Sequence, residues 1–306
     1  MVNKDERLLI TAQKIKERRK AYLFIGLGVL CIGTGPIFVK FVHGAGILVG
    51  FYRLLFAALF LTLPVLIRNH RAKTVISKGA VKWAILGGIA FSANVSLWIT
   101  ALSMTTASKV TLLDNTAPIW VGLMGWLLFG KREGWLYWVG LLITFLGAGL
   151  MINIGNFQIN SLQGGGDLLG VLCGFTYAIY LILTSRTRSR MDSMTYSWIL
   201  ACSGAVTLFL VNLALGYFSQ PLSPNSFILI FAMAISSQIL GWILINHALG
   251  VLPVAVASVV LLSQPIVATI LGIFILSEVP SLFQAVGGIT CLVGIFIVQK
   301  SNIEWG

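Results

Sequence analysis

Apolar runs about as long as a bilayer is thick recur along this chain, and that recurrence leaves few folds open. A helix needs about 20 residues to cross the roughly 30 Å hydrocarbon layer. Ten runs of that order stand at 22–41, 46–67, 81–103, 105–129, 134–152, 168–184, 195–218, 227–249, 253–276 and 281–298, with short connectors between most of them. Of 306 residues, 58% are hydrophobic and 10% charged, and the mean hydropathy is +0.94. A soluble chain of that composition would expose apolar patches that folded monomers avoid. An all-α polytopic membrane protein with ten transmembrane helices is therefore predicted, and a soluble enzyme is excluded.

The net charge of +12 orients the chain and needs no nucleic acid to explain it. With the N-terminus inside, the inner segments hold eighteen Lys or Arg: seven in 1–20, five in 68–82, two at Lys131 and Arg132, three in 186–190 and one at Lys300. The outer connectors hold Lys40 and Lys109 alone. Basic residues collect on the cytoplasmic side, so both termini are placed in the cytoplasm and the protein in the plasma (inner) membrane. The first twenty residues lack a signal peptide's short apolar core and cleavage site, which makes the first span a retained anchor. Their pattern, "ERLLITAQKIKERRK", suits either a solvated basic anchor or a helix lying on an anionic leaflet.

Cys31, Cys173, Cys202 and Cys291 all fall within spans without paired ligand spacing, so they read as small packing residues. His43, His70 and His247 lie near span ends and form no cluster. No metal site and no cofactor is expected. Trp83, Trp126, Trp135 and Trp138 sit near the cytoplasmic boundary as an interfacial belt.

The chain also repeats itself. A shift of 142 lays "LGVLC" at 27–31 on "LGVLC" at 169–173. A shift of 147 lays Ala101 and Leu102 on Ala248 and Leu249, Pro118 on Pro265, Gly125 on Gly272, Gly140 on Gly287 and Gly147 on Gly294. Matches on glycine and proline fall where helix packing and kinks are set. Spans one to five thus recur as six to ten. Five is odd, so the second copy inserts upside down, and inverted repeats of this kind are a recurrent architecture of secondary transporters. The predicted division is a basic N-terminus 1–20, a first repeat 21–153, an extracytoplasmic linker 154–166, a second repeat 167–300 and a tail 301–306.

The chain resembles the EamA-type carriers of the drug/metabolite transporter superfamily over about 22–299. The resemblance rests on the two five-helix halves, on "FYRLLFAALF" at 51–60, "TAPIWVGLMGWLLFGKRE" at 116–133 and "SQPIVATILGIFILSE" at 263–278, and on the glycine pairs that follow the last two. It departs from the family pattern at Lys131, where a glutamate is usual, and at Ser277, where a glycine precedes the glutamate corresponding to Glu278. What the resemblance implies is a metabolite carrier working by alternating access, with export as its direction.

Arg53 and Asp114 are the charges that lie well inside spans, each seven or eight residues from the outer surface. A charge in hydrocarbon costs at least about 2.5–3.5 kcal/mol, so both should face the bundle interior. Two readings stand: an ion pair that fixes spans two and four, or a site where Asp114 meets an amine or a proton and Arg53 a carboxylate. Asn94, Asn115 and Thr116 would add neutral hydrogen bonds. Asn94 with Trp98, and Gln238 with Trp242, repeat an amide and an indole at i, i+4, and Tyr177 and Tyr180 share a face of span six. Together these residues suggest a polar, aromatic-walled substrate site. Pro118 and Pro265 occupy matching mid-span positions, where each removes a backbone donor and frees the carbonyl of Asp114 or Leu261, either as static kinks or as hinges between the rocking halves.

The functional expectation is a secondary transporter for a small polar metabolite, an amino acid or a relative, with protons or a counter-substrate as further partners alongside the lipid bilayer. A channel-like facilitator and a membrane-embedded lipid-modifying enzyme are the alternatives. The enzyme lacks paired aspartates, a His-Asp set or a metal cluster to work with, and no phosphate-binding glycine loop marks an ATP-driven pump.

Overall fold

Backbone donors and acceptors find no water in hydrocarbon and must bond within their own segment. The protein is accordingly helical, with no strand among the described residues. Its structure is a computed structural model that describes residues 4–35, 38, 41–42, 46–72, 77–104, 107–151, 164–220, 222–276 and 281–301. His43, Lys40, the connector 152–163, Ser277, Glu278 and the tail 302–306 lie outside the described residues.

Thirteen α-helices are described: α1 Lys4–Gly33, α2 Gly46–Ala72, α3 Lys78–Met104, α4 Ala107–Asp114, α5 Ala117–Phe129, α6 Trp135–Met151, α7 Gly164–Arg188, α8 Ser193–Ala214, α9 Pro224–Met233, α10 Trp242–Leu249, α11 Val254–Leu261, α12 Gln264–Leu276 and α13 Leu282–Ser301. By length and composition, seven helical stretches among the described residues can cross a membrane. The shorter apolar helices α5 and α6 accompany them. Leu127, Phe274 and Leu282 are 73%, 82% and 77% exposed, a surface that only lipid tolerates at this scale. Trp83, Trp126, Trp135 and Trp138 are exposed as the interfacial reading requires.

Four spans differ from their predicted form. The fourth is broken between Asp114 and Ala117, and the ninth between Leu261 and Gln264, 147 residues on. Pro118 and Pro265 each stand near the start of the new helix, where a missing N–H costs nothing. A hydroxyl completes each break: Thr116 Oγ1 donates to the Leu113 carbonyl at 2.6 Å, and Ser263 Oγ donates to the Val260 carbonyl at 2.7 Å. The expected simple kinks are therefore breaks, and the carbonyls recaptured by hydroxyls are those of Leu113 and Val260. The eighth span keeps its length but widens to a π-helix over Ala234–Gly241, between α9 and α10. The sixth begins at Gly164, inside the predicted linker, with Asp167 in the first turn where a helix N-terminus favours negative charge.

α1 runs as one helix from Lys4 to Gly33, so the basic segment continues directly into the first span. α3 packs against α7 and α8, α2 against α8, both α4 and α5 against α7, and α1 against α10, α12 and the π-helix. α6 and α13 approach until their backbones touch. A Cβ on Gly140 would stand 2.9 Å from the Gly294 carbonyl, and one on Gly147 would stand 2.7 Å from the Gly287 carbonyl.

Candidate functional site

The break in the fourth span positions the site. α7 crosses it at Gly174, where a Cβ would fall 2.6 Å from the Leu113 carbonyl and 3.1 Å from the Asp114 carbonyl. A glycine there lets α7 lie directly on the end of α4. Its neighbour Cys173, fully buried, is thereby brought to Asp114.

Three helices meet at that carboxylate. Asn94 Nδ2, from α3, donates to Asp114 Oδ1 at 3.0 Å, and Cys173 Sγ, from α7, donates to the same oxygen at 3.1 Å. Asn94 Nδ2 also reaches the Cys173 carbonyl at 3.1 Å, which ties α3 to α7 directly. Donors aimed at a carboxylate oxygen from two helices fix its orientation.

Asp114 and Asn94 line a cavity of about 620 Å³, together with Arg53, Asn115, Trp98, Tyr177, Trp242 and Pro265. That volume lies within the range of about 300–1,000 Å³ typical of small-molecule sites. The walls mix donors and acceptors with aromatic rings: Tyr177 and Trp242 meet edge to face with centroids 6.4 Å apart. The cavity extends from these rings to Val42, Gly46 and Ile99.

Arg53 reaches the same cavity from α2 but forms no ion pair with Asp114. Its guanidinium lies 5.9 Å from the Phe91 ring centroid, and its buried Nε has no hydrogen-bond partner. Asn115 Nδ2 is likewise buried without one. Arg53, Asn115 and the oriented carboxylate of Asp114 thus line a single chamber. Such a chamber can receive a molecule that carries an anionic and a cationic group.

Three expected substrate-site residues, Thr116, Tyr180 and Gln238, lie elsewhere. Thr116 does not line the cavity; its hydroxyl bonds the Leu113 carbonyl and accepts from Trp120 Nε1 at 3.2 Å. Tyr180 is wholly buried behind Tyr177, whose ring it stacks at 5.9 Å and 8°, and its hydroxyl donates to Asn246 Oδ1 at 3.0 Å. Pro118, expected as a kink or hinge and not as a ligand, is buried, its carbonyl accepting from Tyr137 at 3.0 Å. Gln238 is 3% exposed in the π-helix, away from the cavity. The matched amides are not equivalent in space. The residue that packs on Cys31 as Asn94 packs on Cys173 is Gly241, 147 after Asn94, where a Cβ would stand 3.2 Å from Cys31 Cβ.

Cys173, Gln264 and Phe91 belong to the site and escaped sequence reasoning. Cys173 read as a small packing residue because it falls within a span without a ligand-spaced partner. No group of three or more metal-ligating side chains occurs among the described residues.

At the far end from Gly46, Arg68 pairs with Asp192 at 3.0 Å, and Asp192 caps α8 by accepting from the Met194 and Thr195 amides. Partial burial works to raise the Asp192 pKa, but those hydrogen bonds and the Arg68 charge outweigh it and hold the carboxyl below the usual carboxylate range.

Residues 19–153 and 164–299 each match the EamA-like transporter family. An uncharacterized transporter of Archaeoglobus fulgidus is 27% identical over 294 residues, covering 92% of this chain and 98% of that protein. Another, from Clostridium kluyveri, is 21% identical over 295 residues and covers 93% and 94%. The uncharacterized transporter YdfC of Bacillus subtilis is 21% identical over 253 residues, covering 82% and 81%. A crystal structure at 14% identity superposes with a TM-score of 0.77, covering 92% of this chain and 98% of its own, which shows a shared fold. With both halves matched over nearly their whole length, the chain belongs to the EamA-like transporter family and is a multi-pass membrane transporter.

Proposed function

We propose that the protein is a secondary transporter that moves a small metabolite bearing both an ammonium and a carboxylate, an amino acid or a close relative, by alternating access. The observation that carries this reading is the pair of opposite charges, Arg53 and Asp114, lining one cavity without bonding to each other. A zwitterion would compensate both at once, with its ammonium at Asp114 and its carboxylate at Arg53 and Asn115. Trp98, Tyr177 and Trp242 would pack on its apolar part.

Ten spans arranged as two inverted halves, 21–153 and 167–300, complete the proposal. Three observations support it. The family matches twice along the chain. Breaks recur 147 residues apart with the same hydroxyl back-bond. Gly140 meets Gly294 while Gly147 meets Gly287, so residues equivalent under the 147 shift exchange partners, as a two-fold relation requires. The Arg188 end is assigned to the cytoplasm, the protein to the plasma membrane, and export to the direction of net flux, with a proton or counter-substrate as the driving partner.

Trp98 and Trp242 line the cavity, so their fluorescence reports occupancy. Amino acids should bind about ten-fold or more tighter than the matching amines without the carboxylate and the matching acids without the amine, since each loses a charge-assisted contact. Equal binding of all three classes would refute the zwitterion site.

A further inference from the structure

Asn246 is a fully buried amide in α10, outside the cavity lining. Its Oδ1 accepts from Tyr180 at 3.0 Å, its Nδ2 donates to Ser197 Oγ at 2.9 Å, and its backbone carbonyl accepts from Arg188 Nε at 2.9 Å. One side chain thereby joins α7, α8 and α10. Beside it the Thr184 and Tyr196 hydroxyls lie 2.6 Å apart, and Arg188 also bonds the Met191 carbonyl. On the cavity side, Tyr180 is held against Phe91 at 5.1 Å and Trp242 at 5.3 Å. The floor formed by Tyr177 and Trp242 is thus backed by Tyr180, and Tyr180 by the Asn246 amide.

The opposite mouth is made of different chemistry. In the 147-residue register, Trp242 and Asn246 correspond to Val95 and Ile99, both of which line the cavity. Contacts obey the same register. A Cβ on Gly46 would lie 3.2 Å from the Ile99 side chain. Positions 142 and 147 further on hold Arg188 and Asn246, which are hydrogen-bonded. Val95 and its counterpart Trp242 both line the cavity, but Ile99 opens onto it whereas its counterpart Asn246 is buried outside the lining.

We infer that Asn246 is the positioning residue of a closed, hydrogen-bonded gate at the Arg188 end, while the Gly46 end closes through apolar contact at Val95 and Ile99. The inference rests on the alternating-access reading. Asn246 touches no substrate; it fixes Tyr180 under the cavity floor. Opening this end breaks buried hydrogen bonds that need new partners, whereas apolar side chains at the other end part without orphaning a polar group.

A reporter cysteine at Val95, in a chain with its four native cysteines replaced by serine, tests this with a membrane-impermeant maleimide applied to either face. The Val95→Cys parent should label from the Gly46 face and slowly from the Arg188 face. Adding Asn246→Ala should raise labelling from the Arg188 face about ten-fold, and Tyr180→Phe, which keeps the ring and loses one hydrogen bond, should raise it by less. Unchanged labelling from that face in both variants, with gel filtration and helicity as in the parent, would overturn the gate. Labelling of the parent from neither face would overturn the accessible cavity as well, and so separates failure of the transport reading from failure of the gate.

Discussion

Arg53 and Asp114 line one cavity, carry opposite charges and do not bond to each other. Breaking a buried ion pair by removing one partner costs about 3–5 kcal/mol. Here the prediction has the other sign. Asp114→Asn should leave the melting temperature of the solubilised protein unchanged or higher, because it removes a buried carboxylate that is hydrogen-bonded but paired with no cation among the described residues, while substrate binding weakens at least about ten-fold. A fall of several kcal/mol in stability would restore the structural-pair reading.

Asn94 and Cys173 hold Asp114 Oδ1 from two helices. Asn94→Ala should weaken substrate binding about ten-fold by releasing the carboxylate from its fixed orientation. Cys173→Ser keeps a donor of similar length and should weaken it less. Equal affinities in both variants and the wild type would show that the clamp does not shape the site.

At the α6–α13 contact, a Cβ on Gly294 would fall 2.6 Å from the Gly140 carbonyl. Gly294→Ala should therefore push the helices apart and cost about 1–3 kcal/mol, read as a lower melting temperature in detergent. Gly26, whose Cβ would meet nothing within 4 Å, is the control: Gly26→Ala should not lower it.

Asp192 both caps α8 and pairs with Arg68, at half-exposed positions where the pair itself contributes at most about 1 kcal/mol. Asp192→Asn keeps a good cap and should cost about 0.5 kcal/mol, and Asp192→Ala about 1–2 kcal/mol. The folded carboxyl titrates below its unfolded value. Its contribution is therefore fully present above the unfolded value of about 3.9 and is lost as pH falls through the lower folded value. Melts at pH 7 should separate wild type from Asp192→Asn, and the difference should shrink as the pH is taken below about 3.9.

The apolar helices of a multi-pass membrane protein and its buried charges were legible because hydropathy over about 20 residues and misplaced ions are strong signals in a bilayer. Arg53 and Asp114 were expected at the cavity from the cost of a charge in hydrocarbon, and Asn94 and Asn115 as neutral hydrogen-bonding groups beside them. Thr116 misled because a hydroxyl beside a proline serves the backbone break as readily as a ligand, and the matching Ser263 was the available signal. Gln238 misled because the π-helix shifts side-chain direction, so a match at 144 residues pointed to the wrong face while the match at 147 held. Cys173 was hidden because its role depends on Gly174 and on a crossing helix, neither of which has periodicity.

Transport itself is the most direct test of the central claim. Reconstituted vesicles loaded with unlabelled amino acids should accumulate labelled amino acid by saturable counterflow in the wild type. Asp114→Asn and Arg53→Gln should each reduce the rate at least about ten-fold while remaining folded. Counterflow at the wild-type rate in both variants would contradict the account.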